Sequence, residues 1–258
     1  MVEQITSKDN PWLKNLRRLA QDNQAYRKMG QVWLEGEHLV DAVVRQGSPV
    51  LTLVCDQSHW ETLPHAWRHL GQRQVVLPDA LFKSISGLES PAGLGVLMAL
   101  PQPGEIDVHA PTVVLDRVQD AGNVGSILRS AAALGHRQVL SIHTTAALWS
   151  PKVLRAGMGA HLGLQLHEGL QPHDLQALKV PLLATSSHQG PFLHDWVRLR
   201  QLPQPAAWVM GHEGQGVGPE LMAMASLKVR IAQPGGQESL NVAAAAAICL
   251  HASATAGL

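Results

Sequence analysis

The stretch Ile231-Ala-Gln-Pro-Gly-Gly-Gln-Glu-Ser239-Leu240-Asn241-Val-Ala-Ala-Ala-Ala-Ala-Ile-Cys-Leu250 decides how this chain is read. It runs from a strand end through a glycine-rich loop, then through Ser-Leu-Asn into a long alanine-rich helix. Ser239 stands where an N-cap would, its hydroxyl placed to accept from first-turn amides. Asn241 then falls one turn into a helix that is otherwise apolar on every side. Such a helix is a buried one, so a polar side chain at its mouth requires a partner.

Two upstream segments complete a set. One is Leu115-Asp116-Arg-Val-Gln-Asp120-Ala-Gly-Asn123-Val-Gly125-Ser-Ile-Leu-Arg129; the other is Trp208-Val-Met-Gly211-His212-Glu213-Gly214-Gln-Gly216-Val217. Together with Gly-Gly-x-Glu-Ser-Leu-Asn-Val, they resemble, in order and spacing, the three signature motifs of the SpoU/TrmH family of RNA ribose 2′-O-methyltransferases. The resemblance covers the last part of the chain strongly and the first part more loosely.

Composition bounds the alternatives. The chain has 258 residues, 45% hydrophobic and 16% charged, which is globular and long enough for one large or two small domains. Basic and acidic residues both total 20, so net charge argues for no polyanionic partner. Their distribution does. Lys8, Lys14, Arg17, Arg18, Arg27 and Lys28 face only Asp9 and Asp22 over the same segment, a local excess suited to phosphate contacts. Cys55 and Cys249 lack metal-ligand spacing, and a reduced, cytoplasmic protein is the simplest expectation. No secretory signal is visible, and the longest apolar run, 242–250, is far short of the roughly 20 residues a membrane span needs.

The spacing predicts a polar N-terminal helix with Leu13, Leu16 and Leu19 on one face, then a small αβα unit with strands near 32–36, 50–55, 74–77 and 93–99. Residues 101–111, with three prolines and a glycine, read as a linker. Beyond it, strands at 112–116, 138–143, 164–167, 181–186, 206–211 and 227–232 alternate with helices at 123–134, 151–160, 174–178, 219–225 and 239–253. That alternation argues for a parallel α/β sheet. With the roles that the resemblance implies, the expected domains are 1–29, a basic helical extension; 30–100, an L30e-like RNA substrate-binding domain; 101–111, a linker; and 112–258, the SPOUT methyltransferase domain.

Ligands in open α/β sheets bind where loops leave the carboxyl ends of the strands. The resemblance implies that the late loops build an S-adenosylmethionine pocket through Thr185, Gly211, Ile231 and Leu240. It implies catalytic roles for Asn123, Arg129, Glu213, Ser239 and Asn241, and RNA contacts for Lys14, Arg17, Arg18, Lys152 and Arg155. Arg129 has two roles open to it. A guanidinium stays protonated, which favours a phosphate clamp and stabiliser of the developing alkoxide over proton abstraction. The entry 34–40, Leu-Glu-Gly-Glu-His-Leu-Val, looks like the L30e-like domain of many family members and favours ribosomal over transfer RNA. The resemblance further implies a C-terminal trefoil knot and a homodimer, with Arg129 acting in its own subunit or across the interface.

Rival chemistries fare poorly. No P-loop is present, Gly157-Met-Gly159 lacks the rest of a dinucleotide fingerprint, and His65 and His69 have no acidic partner for a metal site, so neither metal nor membrane is expected. Ala121 replaces the family's usual proline and Gly157 a frequent serine, and His212 fills a variable position; no proposed catalytic group is lost. The alternative from another class is a non-catalytic RNA-binding or ribosome-assembly protein that retains the fold.

Overall fold

The computed structural model describes residues 2–236 and 239–256, so Gln237 and Glu238 of the third motif lie outside the described residues. The chain packs as two units, Met1–Gln102 with Trp149–Leu162, and Pro103–Leu148 with Gly163–Leu258.

The first unit begins with β1 (Val2–Gln4), a strand the sequence reading missed because every residue of it is exposed and no alternation marks it. In α1 (Pro11–Gln21), Asn10 is the N-cap, accepting from Trp12 and Leu13 N–H at 2.9 and 3.2 Å. Leu13, Leu16 and Leu19 are all buried, as their spacing requires. Then come α2 (Ala25–Met29), β2 (Gln31–Glu35), α3 (Glu37–Gln46), β3 (Thr52–Asp56), α4 (Gln57–Thr62), β4 (Arg73–Leu77), α5 (Asp79–Ile85) and β5 (Leu94–Ala99). The sheet order is β1-β4-β3-β5-β2, with β5 antiparallel to both its neighbours. Arg73 fastens the outer edge, pairing with Glu3 at 2.7 Å and stacking over Trp12 at 4.5 Å.

Two domain expectations need correction. Residues 1–29 are no separate extension: α1 packs on α5 and β2 and buries its leucines in this unit. Nor does the C-terminal domain run unbroken from 112, because Trp149–Leu162 belongs to the first unit. The linker also stops short of Pro111. Ile106 packs on the second unit's core, and Gln138 binds the backbone of Asp107 from both ends of its amide, at 2.8 and 3.0 Å.

The second unit holds six strands: β6 (Thr112–Leu115), β7 (Gln138–Ile142), β8 (Gln165–Leu170), β9 (Leu182–Thr185), β10 (Ala207–Met210) and β11 (Leu227–Val229). All are parallel, in the order β11-β9-β10-β6-β7-β8. Every expected strand of this domain is present. Its helices are α6 (Ala121–Ala133), α8 (Leu193–Arg198), α9 (Pro219–Met224) and α10 (Val242–Thr255); α7 (Pro151–Gly157) lies in the first unit, against α1 and β2. The expected helix at 174–178 is part of a 3₁₀ turn, Pro172–Ala177. Among the described residues no helix is long and apolar enough to cross a membrane.

The alanine-rich helix differs from its reading in two ways. It starts at Val242, and Asn241 rather than Ser239 is its N-cap. Within one chain it also buries a single stripe, Val242, Ala246, Cys249 and Leu250, while Ala244, Ile248 and His251 are exposed. Trp208 on β10 pins the helix's far end through an indole N–H to Ser253 Oγ at 2.8 Å. Burial pushes the Cys249 thiol up to about 12, so it serves as a small core residue.

Two buried histidines, His136 and His167, have no partner for Nδ1 and Nε2 respectively among the described residues, and burial lowers the pKa of both. Below the ordinary value of 6.5, the unfolded chain binds protons that the folded chain refuses. Stability is therefore expected to fall as pH drops from there toward the lowered folded values, by up to about 1.4 kcal/mol per pH unit for each histidine. Urea titrations should show a shallower acid slope for His167→Phe. Equal slopes would assign the acid sensitivity elsewhere.

Candidate active site

Parallel strands end on a common edge, and there the three sequence motifs meet. The first motif leaves β6 and enters α6, whose N-cap Asp120 accepts from Asn123 N–H at 2.8 Å. The second motif leaves β10 as a tight loop, with His212 and Gly216 exchanging backbone hydrogen bonds of 3.0 and 2.8 Å and Glu213 at the tip. The third leads into α10.

One hydrogen-bonded relay joins them. Asn241 Oδ1 caps α10 by accepting from Ala243 and Ala244 N–H at 2.9 and 3.2 Å. Its Nδ2 donates to Asn123 Oδ1 at 2.9 Å, and Asn123 Nδ2 donates to Glu213 Oε1 at 3.1 Å. Glu213 also accepts from Asp120 N–H at 3.1 Å and Gln119 N–H at 3.2 Å. Partial burial pushes the Glu213 carboxyl up, but the Asn123 amide and the backbone N–H groups outweigh it, and its pKa lies below the ordinary value.

A second network lies beneath. The Asp116 side chain is 3% exposed. It accepts from Arg117 Nε at 2.9 Å, Arg117 Nη2 at 3.2 Å and Gly218 N–H at 2.5 Å. Arg117 reaches on to Gln215 Oε1 at 3.0 Å and Gly216 O at 3.3 Å, and its bond to Asp116 raises its pKa. Arg117 adopts a left-handed φ of 59°, with its N–H held by Thr145 Oγ1 at 3.1 Å. The sequence reading missed Asp116, Arg117, Thr145 and the Asp120 cap. An acid three residues before Asn123 was a readable cap signal; nothing in the sequence marks Thr145.

Three of the four expected cofactor residues, Thr185, Gly211 and Ile231, follow neighbouring strands. β11, β9 and β10 are neighbours, so the loops that follow them leave the sheet together. Thr185 ends β9, its hydroxyl donating to Val209 O at 2.9 Å. Gly211 follows β10 and is buried, Ile231 follows β11 and is half-buried, and Leu240 is exposed. A Cβ on Gly211 would lie 2.2 Å from both Gly216 C and Val217 N, so only glycine lets this loop fold back on itself. Main-chain groups framed by apolar side chains suit a nucleoside with a sulfonium tail, and these residues fit S-adenosylmethionine.

Other expectations are not brought together. Arg129 lies on α6 six residues beyond Asn123, about 9 Å along the helix and on another face. It is exposed and has no ion-pair partner among the described residues. Ser239 is exposed and joins no hydrogen bond among the described residues. Lys14 pairs with Asp9 at 3.3 Å and Arg18 with Asp22 at 3.6 Å, while Arg17 ties α1 to Ser84 at 3.1 and 3.0 Å. Lys152 is exposed and Arg155 half-buried on α7, in the same unit as α1. Among the described residues no group of three or more His, Cys, Asp and Glu side chains is placed to hold a metal ion.

Comparison with known proteins settles the class. Residues 110–251 match the model of the SpoU rRNA methylase family. The chain belongs to that family. It is 26% identical, over 97% of its length and 98% of the relative's, to a 23S rRNA (guanosine(2553)-2′-O)-methyltransferase of Bacillus subtilis. A TrmH-family protein of Porphyromonas gingivalis superposes with a TM-score of 0.80 at 30% identity, over 95% of this chain and 97% of that one. An rRNA methyltransferase of Sinorhizobium meliloti, solved with S-adenosylmethionine bound, gives 0.80 at 25% identity over 98% and 97%. With family membership comes the enzyme class, an S-adenosylmethionine-dependent RNA 2′-O-methyltransferase.

Gly211→Ala is expected to weaken S-adenosylmethionine binding about tenfold or more, roughly 1.4 kcal/mol, because the added carbon displaces the loop backbone. Calorimetric titration checks this, and an unchanged affinity would remove Gly211 from the pocket.

Proposed function

We propose that this chain methylates a ribose 2′-hydroxyl in structured ribosomal RNA. The observation that carries the reading is the relay Asn241–Asn123–Glu213, which gathers the three family motifs at the carboxyl edge of the parallel sheet. Ribosomal RNA is favoured because the Bacillus subtilis relative, matched over nearly its whole length, is named for a ribosomal target. When bound, S-adenosylmethionine supplies an electrophilic methyl group on a sulfonium sulfur.

The residues of this chain do the rest. Thr185, Gly211, Ile231 and Leu240 would hold the cofactor, while the relay presents the ribose hydroxyl to the methyl group it would supply, and the hydroxyl proton passes to solvent water. Each relay amide spends one N–H on its neighbour, leaving the other for a ribose oxygen. Arg129 acts as a cation beside the nascent alkoxide and the adjoining phosphate. Ser239 lies in the same loop as Leu240 and contributes a hydroxyl to the ribose. The first unit, an L30e-like domain, brings RNA through Lys14, Arg18, Lys152 and Arg155; Arg17 already has a structural task.

The same reading includes a trefoil knot, a homodimer and a cytoplasmic location. For the knot, the chain after β9 closes on β11 from both sides: Ser186 N–H donates to Val229 O at 3.0 Å, and Arg230 N–H to Pro191 O at 3.0 Å. Gly190 passes so near Lys228 O that a Cβ would lie 1.9 Å from it. For the dimer, Ala244, Ile248 and His251 on α10 and Gly122, Ser126, Arg129 and Ala133 on α6 form exposed stripes. Burying them against a second copy would carry Arg129 to the neighbouring active site.

Arg129→Ala should abolish methyl transfer to in vitro-transcribed ribosomal RNA while leaving S-adenosylmethionine affinity within a few-fold. Activity within about tenfold of wild type, a barrier change of only about 1.4 kcal/mol, would end its catalytic role.

Ile248→Glu should convert the protein to monomers in sedimentation at micromolar concentration and lower turnover with them. Ile248 is 41% exposed, whereas Ala246 is fully buried and would report on the monomer's own core. A dimer of undiminished activity would place the interface elsewhere.

A further inference from the structure

Glu213 is presented by a loop of a few residues, and that loop is shaped around the imidazole of His212. His212 Nδ1 accepts two backbone hydrogen bonds, from Gly214 N–H at 3.0 Å and Gln215 N–H at 3.2 Å. These are the second and third residues onward, the pattern by which an aspartate or asparagine side chain folds the chain that follows it. The backbone of His212 meanwhile pairs with Gly216, closing the loop behind the ring. Arg117 grips the same residues through Gln215 Oε1 and Gly216 O.

The geometry points to His212 as a positioning residue of the methyl transfer: its unprotonated Nδ1 folds the loop that sets Glu213 against Asn123. This inference rests on the methyltransferase reading. The ring nitrogen has one lone pair and accepts only while it carries no proton. Protonation turns that acceptor into a donor facing two further donors, so both bonds are lost together and the Glu213 tip loses its template. Loss of loop shape reaches Asn241 through the relay and therefore reaches the reaction centre.

Asparagine at this position offers an oxygen to the same two N–H groups. The test compares wild type, His212→Ala and His212→Asn in single-turnover methylation of in vitro-transcribed ribosomal RNA under one fixed set of conditions. His212→Ala should be slower by about tenfold or more, with RNA affinity unchanged, while His212→Asn stays within about threefold of wild type. Amide exchange at Gly214 and Gln215 gives a second readout independent of activity: protected in wild type and in His212→Asn, unprotected in His212→Ala. His212→Asn as impaired as His212→Ala, or equal protection in all three proteins, would overturn the inference. Loss of methyl transfer in wild type with the expected exchange pattern would instead overturn the methyltransferase reading and leave the loop assignment standing.

Discussion

The Glu213 carboxylate can only accept, and that one-way property sets the polarity of the whole site. Asn123 must turn its amide nitrogen toward Glu213, which leaves its oxygen facing Asn241. Asn241 must then donate to Asn123, and its own oxygen is left to cap α10. A single ionised group thus orients two amides and anchors the first turn of a helix, with each bond strengthened by the charge at its head. Neutralising that charge would free every member of the relay to flip.

The relay holds its position because the loops beneath it are fastened. A carboxylate as buried as Asp116 is tolerable only when paired and fully hydrogen-bonded, and Arg117 with Gly218 N–H satisfies it. The same arginine ties the end of β6 to the loop after β10. Its left-handed backbone, uncommon outside glycine, is held by Thr145, so strain at one residue is stabilised by contacts from several segments. Rigid support below and a directional relay above are what positioning chemistry requires, since methyl transfer depends on in-line geometry more than on any single strong acid or base.

Helix α10 shows how far periodicity reaches. Its composition, apolar on nearly every side, reads as a fully buried helix. One chain nevertheless buries only the stripe through Ala246 and Leu250 and leaves Ile248 exposed. Composition reports that a helix is apolar; it does not report which of its faces the chain buries. Ser239 illustrates a different limit. Serine is a good N-cap and so is asparagine, and the sequence reading took Ser239, two residues before Asn241. The choice fell to Asn241 because only there does the capping side chain also meet Asn123, far away in sequence.

By itself the sequence determined what depends on near neighbours and periodicity: the six parallel strands of the second unit, the buried leucine face of α1, and the three motifs that name the family. It also placed the glycine at 211, where the turn leaves no room for a side chain. The tertiary structure alone decided which distant groups meet. It drew Trp149–Leu162 out of the catalytic domain's sequence span into the first unit, and it gave Arg17 to Ser84. It brought Asn241, Asn123 and Glu213 into one relay and set Arg117 and His212 around the loop between them. The reason is physical: a hydrogen bond needs atoms within about 3 Å of each other, and spacing along a chain fixes such distances only within a turn or a helix.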